Sequence, residues 1–196
     1  MDFYKVEIDA ELFNKAKARA TSLPGYRANF KKHLQDQDGE LQAKIEGSIG
    51  ELIFEKWLND NSIAYMDARK NYSYDYFLGG TASRIEVKTK LRTVEPPKPH
   101  YECSVSNYIL ETQSAGIYAF VSLTHNDTLE LSADKYTNGY FVGVMSGKKF
   151  KKTSRHFEEG DIDPLNNYIV KETCSNVFIS QLGSPSQLQD YVMSKT

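Results

Sequence analysis

Sulfur and long apolar runs are both scarce in this chain of 196 residues. Its two cysteines, Cys103 and Cys174, stand far apart, and neither belongs to a CxxC pair or a Cys/His cluster. That excludes a disulfide-built scaffold and a thiolate metal site, and both residues are expected to be reduced structural thiols. No apolar stretch approaches the roughly 20 residues that span a bilayer. The segment MDFYKVEID also lacks the basic and apolar regions of a secretory leader. The expectation is therefore a cytoplasmic protein with no membrane partner. Charge of one sign is missing too: the formal net charge is −2, which argues against a nucleic-acid coat or packaging protein. There is no internal repeat and no low-complexity tract. What remains is an ordinary α/β composition, 40% hydrophobic, enough for one core and one domain.

The hydrophobic pattern divides the chain into elements. Phe3–Ile8 alternates like a strand, and Asp9 is placed to cap a helix over Glu11–Ser22 that Pro24-Gly25 stops. A second basic helical stretch, Tyr26–Leu34, completes an N-terminal helical extension over 1–37. Leu41, Ile45, Ile49, Leu52, Ile53 and Trp57 then recur at helical spacing and predict one helix over Gly39–Leu58. Strands follow at Ile63–Met66, Tyr72–Leu78 and Arg84–Leu91, then a rigid Pro96-Pro97-Lys98-Pro99 loop and a helix over Val105–Gln113. Gly116–Leu123 and Gly139–Met145 read as strands that complete a core over 38–146. Residues 147–196 form a basic loop and a C-terminal extension, with strands at Tyr168–Val170 and Val177–Ile179 and a helix over Gln187–Met193. The order predicts a mixed central β-sheet flanked by helices. In the basic loop Lys148, Lys149, Lys151, Lys152 and Arg155 fall close together around Phe150. Such a run is either a solvated loop or a patch that tracks phosphates.

The strongest chemical signal lies in the hairpin. Side chains alternate across a strand, so Ser73, Asp75 and Phe77 share a face, and so do Glu86, Lys88 and Lys90. Tyr74, Tyr76 and Val87 are expected to point away from that face. Pairing Leu78 with Ser83 leaves Gly79-Gly80-Thr81-Ala82 as the turn and sets Asp75 opposite Glu86. Two carboxylates there, with Cβ atoms about 5 Å apart, repel each other unless a cation lies between them. Oxygen ligands suit Mg²⁺, with Mn²⁺ as substitute. Lys88, one repeat along, is placed to orient a water and neutralise a phosphate. An E-x-K step alone is uninformative, since alternating Glu and Lys are common on solvated strands. The hairpin spacing and the matching polarity of the two faces add the weight.

The Asp75…Glu86-Val87-Lys88 arrangement resembles the signature of the PD-(D/E)XK nuclease superfamily, with Tyr74 where a proline often stands. Gly47-Ser48-Ile49-Gly50-Glu51, followed by Leu58, is similar to the helix of Holliday-junction-resolvase-type nucleases, whose G-S-x-x-E segment supplies an acid to the metal site. The segment from Gly50 onward to Gly160-Asp161-Ile162-Asp163 also resembles small phage-encoded or restriction-type endonucleases, which would place the chain in a host cytoplasm. The resemblance implies a restriction-endonuclease-like αβββαβ core over about 38–124 and a Mg²⁺-dependent DNA endonuclease. Glu51, Asp75, Glu86 and Lys88 would be catalytic, with Asp75, Glu86 and Glu51 on the metal. Helical geometry, at about 100° per residue, sets Glu51 at the edge of the apolar arc and Glu46 inside it, and by itself does not choose between them. Lys90 and the basic run would contact DNA, and Gln113 is an auxiliary candidate. His100, Tyr101 and Glu102 are placed to line the cleft, and His125 is read as surface. A homodimer would supply the two sites needed to cut both strands, although no interface is legible. The alternative is a nuclease-fold module that binds DNA or protein without cutting; the intact Asp, Glu and Lys set argues against it, and no RNA-specific motif is present.

Overall fold

The computed structural model describes residues 2–22, 37–69, 73–113, 115–165 and 167–195. The basic stretch Tyr26–Leu34 and the Pro24-Gly25 stop lie outside the described residues. Strand β1 (Tyr4–Glu7) leads into helix α1 (Ala10–Thr21), whose first turn is capped by Asp9 accepting from the Leu12 N–H at 2.8 Å. Helix α2 (Gln37–Asp60) follows, then β2 (Tyr65–Asp67), β3 (Tyr76–Leu78) and β4 (Ser83–Arg92). Next come β5 (Glu102–Ser106), α3 (Asn107–Thr112), β6 (Ile117–His125) and β7 (Tyr136–Ser146). The remainder is α4 (Gly147–Thr153), β8 (Arg155–Phe157), β9 (Ile162–Asp163), β10 (Tyr168–Ile169), β11 (Cys174–Phe178) and α5 (Pro185–Met193).

The fold is mixed α/β. Among the described residues the main sheet runs β1-β7-β6-β4-β3-β2. Among the described strands only β4 and β6 pair in parallel, and their connection crosses over through β5 and α3, as a parallel pair requires. Strand β6 is buried on both faces, so it reads as a continuous apolar run. Its Ala119, Val121 and Leu123 join Ile85, Tyr76 and Phe141 against Ile45, Ile49, Ile53 and Phe54 of α2. Each of the larger aliphatic and Phe side chains among them contributes about 1.5–3 kcal/mol on burial. Tyr118 and Phe120 face the other way, into a second cluster with Cys103, Val105, Phe150 and Val177. A second sheet, β5-β11-β8, covers that side. Both cysteines are free thiols, and no helix among the described residues is long and apolar enough to cross a membrane.

Three expectations need correcting. The basic loop is helix α4, capped by the Ser146 hydroxyl and held to the core by fully buried Phe150, with its lysines outside. The helix predicted over Val105–Gln113 begins only at Asn107, because Val105 pairs with Ser175 in the second sheet. That sheet itself was not anticipated, since its strands are short and pair over long sequence separations.

Close packing of α2 on the sheet depends on small residues. A Cβ at Gly50 would meet Thr89 Oγ1 at 2.0 Å, and one at Gly139 would meet Ile53 Cδ1 at 2.0 Å. Gly47, one turn earlier, has open space around it. The two helix glycines should therefore respond in opposite directions. Gly47→Ala should raise the denaturation midpoint, since Ala is favoured over Gly in a helix by about 1 kcal/mol. Gly50→Ala should lower it, because overpacking costs about 1–3 kcal/mol, and adding Thr89→Ala should restore it. Chemical denaturation of the three variants checks this; equal gains from both glycine changes would show that α2 does not approach β4 this closely.

Candidate active site

The β3–β4 register is Leu78↔Ser83, Phe77↔Arg84 and Tyr76↔Ile85, which is the pairing read from the sequence. The four-residue turn holds Gly80 and Ala82 at positive φ, 75° and 52°, and the Thr81 hydroxyl accepts the Ser83 N–H at 3.1 Å. Counting on sets Asp75 opposite Glu86, but the regular ladder stops at Tyr76. Asp75 instead donates its own N–H to the Ile85 carbonyl at 2.8 Å. Its Oδ2 accepts the Val87 N–H at 2.7 Å, so a carboxylate takes the slot of a strand carbonyl. From Glu86 to Arg92, β4 keeps β6 as its parallel neighbour.

A cavity of about 280 Å³ opens beside this divergence, and Glu46, Glu51, Asp75, Glu86, Lys88 and Gln113 all line it. Glu86 is buried. Its Oε1 lies 2.6 Å from the Lys88 ammonium, and the Gln113 amide, with its NH₂ turned to the carboxylate, reaches Oε1 at 3.0 Å and Oε2 at 3.2 Å. Burial pushes the Asp75 carboxyl well above the usual range, and the negative charges of Glu86 and Glu51 push it further. Lys88 and the Val87 N–H oppose that rise without cancelling it. Burial also raises Glu51, against the pull of Arg69 and Arg19. Arg69 Nη1 lies 2.9 Å from Glu51 Oε2 and Arg19 Nη1 3.8 Å from it, while Arg69 also grips Asp67. Glu46 accepts from Tyr136 and Gln42, each at 2.8 Å. Both helix acids therefore reach the cavity, and Glu51 is the one whose charge acts on Asp75.

Other expectations fare differently. Tyr76 points away into the core, with its hydroxyl 3.1 Å from the Glu51 carbonyl. Val87 likewise points into the core, packed with Ile85 on the α2 side, and only borders the cavity. Tyr74, expected to do the same, forms part of the cavity wall. Tyr74 lies before β3 begins at Tyr76, outside the regular ladder that would fix its face. Lys90 does not reach the cavity; its ammonium donates to Ser104 Oγ at 2.7 Å under the second sheet, and burial lowers its pKa. Arg155 is tied to Glu102 and lies 3.6 Å from Asp163, so it packs two strands together and is not presented to a phosphate. Glu102 belongs to that buried network, away from the cavity. His125 ends β6 and pairs with Asp127 at 3.1 Å. Lys148, Lys149, Lys151 and Lys152 are exposed on α4 and do not line the cavity. Arg69 and Arg19 were missed, because neither belongs to a motif and only the fold brings them to Glu51.

The arrangement holds four carboxylates, Glu46, Glu51, Asp75 and Glu86, around a small space that Lys44, Arg69 and Lys88 also line, with an all-oxygen donor set suited to a hard divalent cation. Among the described residues, however, no three His, Cys, Asp or Glu side chains stand together as a ready metal-ligating group. Glu86 is turned to Lys88 and Gln113, and Glu51 to Arg69.

The raised Asp75 carboxyl carries a sign for stability. In the unfolded chain Asp75 ionises near pH 4, whereas the folded chain holds its proton to higher pH. The folded state thus binds more protons in that window, and stability falls as pH rises through it. Asp75→Asn keeps an acceptor for Val87 and removes the charge. In EDTA the variant should denature later than wild type at neutral pH, with the gap closing toward pH 4. A gap that widens in acid would contradict the charge crowding described here.

Comparison with protein-family models, with curated proteins and with solved structures finds no match to this chain, so the chemistry of the site rests on its own geometry.

Proposed function

We propose that the chain is a Mg²⁺-dependent DNA endonuclease of the PD-(D/E)XK type. The observation that supports this reading most is the hairpin register, which gathers Asp75, Glu86 and Lys88 at one cavity beside Glu51 of α2. The order α2, β2, β3, β4, α3, β6 also follows the αβββαβ core of that superfamily, with β5 inserted before α3. Asp75 is buried beside the Glu86 and Glu51 carboxylates, and Lys88 and the Val87 N–H offset this only in part, which is the physical reason to expect a cation there.

Asp75, Glu86 and Glu51 would hold the metal. Bound there, Mg²⁺ would polarise the phosphodiester and lower the pKa of a coordinated water. The chain's own groups do the positioning. The Val87 N–H fixes the Asp75 carboxylate, and Gln113 fixes Glu86 from the far side. Lys88 lies in hydrogen-bonding contact with Glu86 and would supply a positive charge to a phosphate oxygen or to the attacking water. Hydrolysis breaks a P–O ester bond, and the water's oxygen ends on phosphorus.

One observation favours a second reading, a module of this fold that holds DNA or a protein without cutting. Each acid of the cavity already has an internal partner, and none of the described groups is a preassembled metal cage. Cleavage of plasmid and branched DNA separates the two. Wild type should cut with Mg²⁺ or Mn²⁺, and Asp75→Ala and Lys88→Ala should each lose about 100-fold or more. Calorimetry should find Mg²⁺ binding in wild type that Asp75→Ala lacks. A wild type that neither cuts nor takes up metal leaves the binding module as the better account.

A further inference from the structure

A second, larger groove of about 700 Å³ lies where β4 and β6 begin and β7 ends. Ser83, Arg84, Ser146, Lys149, Gln187 and Tyr191 contribute its polar side chains, and Gly116 and Gly183 also line it. Among the described residues no Asp or Glu lines it, in contrast to the carboxylate-rich cavity next door. The two are neighbours on one strand. Arg84 precedes Glu86 by two residues on the same face of β4, roughly 7 Å along it. The Arg84 guanidinium also lies over the Tyr74 ring at 5.6 Å, and Tyr74 lines the carboxylate cavity. Across the groove Tyr191 of α5 is 39% exposed, and its hydroxyl sits 3.3 Å from Ser83 Oγ, which restrains the ring. Lys149 of α4 donates to the Gln181 carbonyl at 3.0 Å, and an ammonium has three donors. The same helix also carries exposed Lys148, Lys151 and Lys152.

Cations at spaced positions beside a restrained, half-exposed aromatic ring match a nucleic-acid strand: phosphates meet the cations and a base meets the ring. A base inside a duplex offers Tyr191 no free face. We infer that this groove receives a single-stranded segment of DNA adjoining the scissile phosphate, so that the preferred substrate carries an unpaired strand beside the cut. This inference rests on the nuclease reading of the neighbouring cavity for what is cut, and on the groove alone for what is bound.

Fluorescence anisotropy in EDTA, with a labelled single strand, the blunt duplex of the same sequence and a duplex with a single-stranded tail, tests the binding. Wild type should bind the first and third more tightly than the second. Tyr191→Ala should weaken them about tenfold and leave the duplex unchanged, while Tyr191→Phe, which keeps the ring and loses only its contact with Ser83, should lose far less than Tyr191→Ala. Lys149→Ala should flatten the dependence on salt. Equal affinity for blunt duplex, tighter binding of the matching RNA, or no effect of Tyr191→Ala overturns the inference. Cleavage with Mg²⁺ then separates the two claims. Cutting that ignores the tail removes the groove and keeps the nuclease; Tyr191-dependent binding without any cutting keeps the groove and removes the nuclease.

Discussion

The hydrogen bond from the Val87 N–H to the Asp75 carboxylate is the point on which the rest of the site turns. Strand β3 leaves β4 after Tyr76, and the next inward-facing donor of β4 would be left without a partner. A buried N–H without an acceptor costs about as much as a lost hydrogen bond. Asp75 supplies the acceptor from its side chain, which lies sideways into the strand's own hydrogen-bonding edge. With the neighbouring strand gone, the two faces of β4 communicate through the gap. That is how Glu51, carried by a helix on one face, comes to share a cavity with Glu86 and Gln113 on the other.

Carboxylates brought together this way must be kept from driving the fold apart. The chain balances them locally: Lys88 lies against Glu86, and Arg69 and Arg19 lie against Glu51. Asp75 receives the smallest share, and burial together with its two acidic neighbours holds its carboxyl high. The near-neutral composition therefore conceals segregated charge. Acids gather at the cavity, and cations gather at the groove and along α4.

How much of this could be read from the sequence follows from how local each feature is. The hairpin was legible because its register depends on a two-residue alternation and one short glycine turn. Helix α2 was legible from apolar spacing sustained over many turns. The second sheet was not, because β5, β8 and β11 are three to five residues long and meet only through the fold. Missing it had a cost at the site. Without that cover Lys90 and Arg155 looked solvent-facing, and only the buried partners Ser104 and Glu102 remove them from the ligand surface. The seven residues of α4 are too few for a period to emerge around a single buried Phe150.

Strand β4 can now be divided by what its alternate side chains meet. At its far end Lys90 donates to Ser104, and Arg92 stacks on Tyr101 and bonds the Glu102 carbonyl; these cations join the two sheets. In the middle Glu86 and Lys88 face the cavity. At its start Arg84 faces the groove. The second sheet thus takes up two of four basic residues in one alternating row, Lys90 and Arg92, and leaves Lys88 lining the cavity and Arg84 lining the groove, one on each side of Glu86. A phosphate drawn toward Lys88 and a neighbour drawn toward Arg84 would lie along the strand, in the direction the groove continues to Lys149 and Tyr191. On the proposed reading, the same covering that makes Lys90 structural would direct a bound strand from the cavity toward the groove.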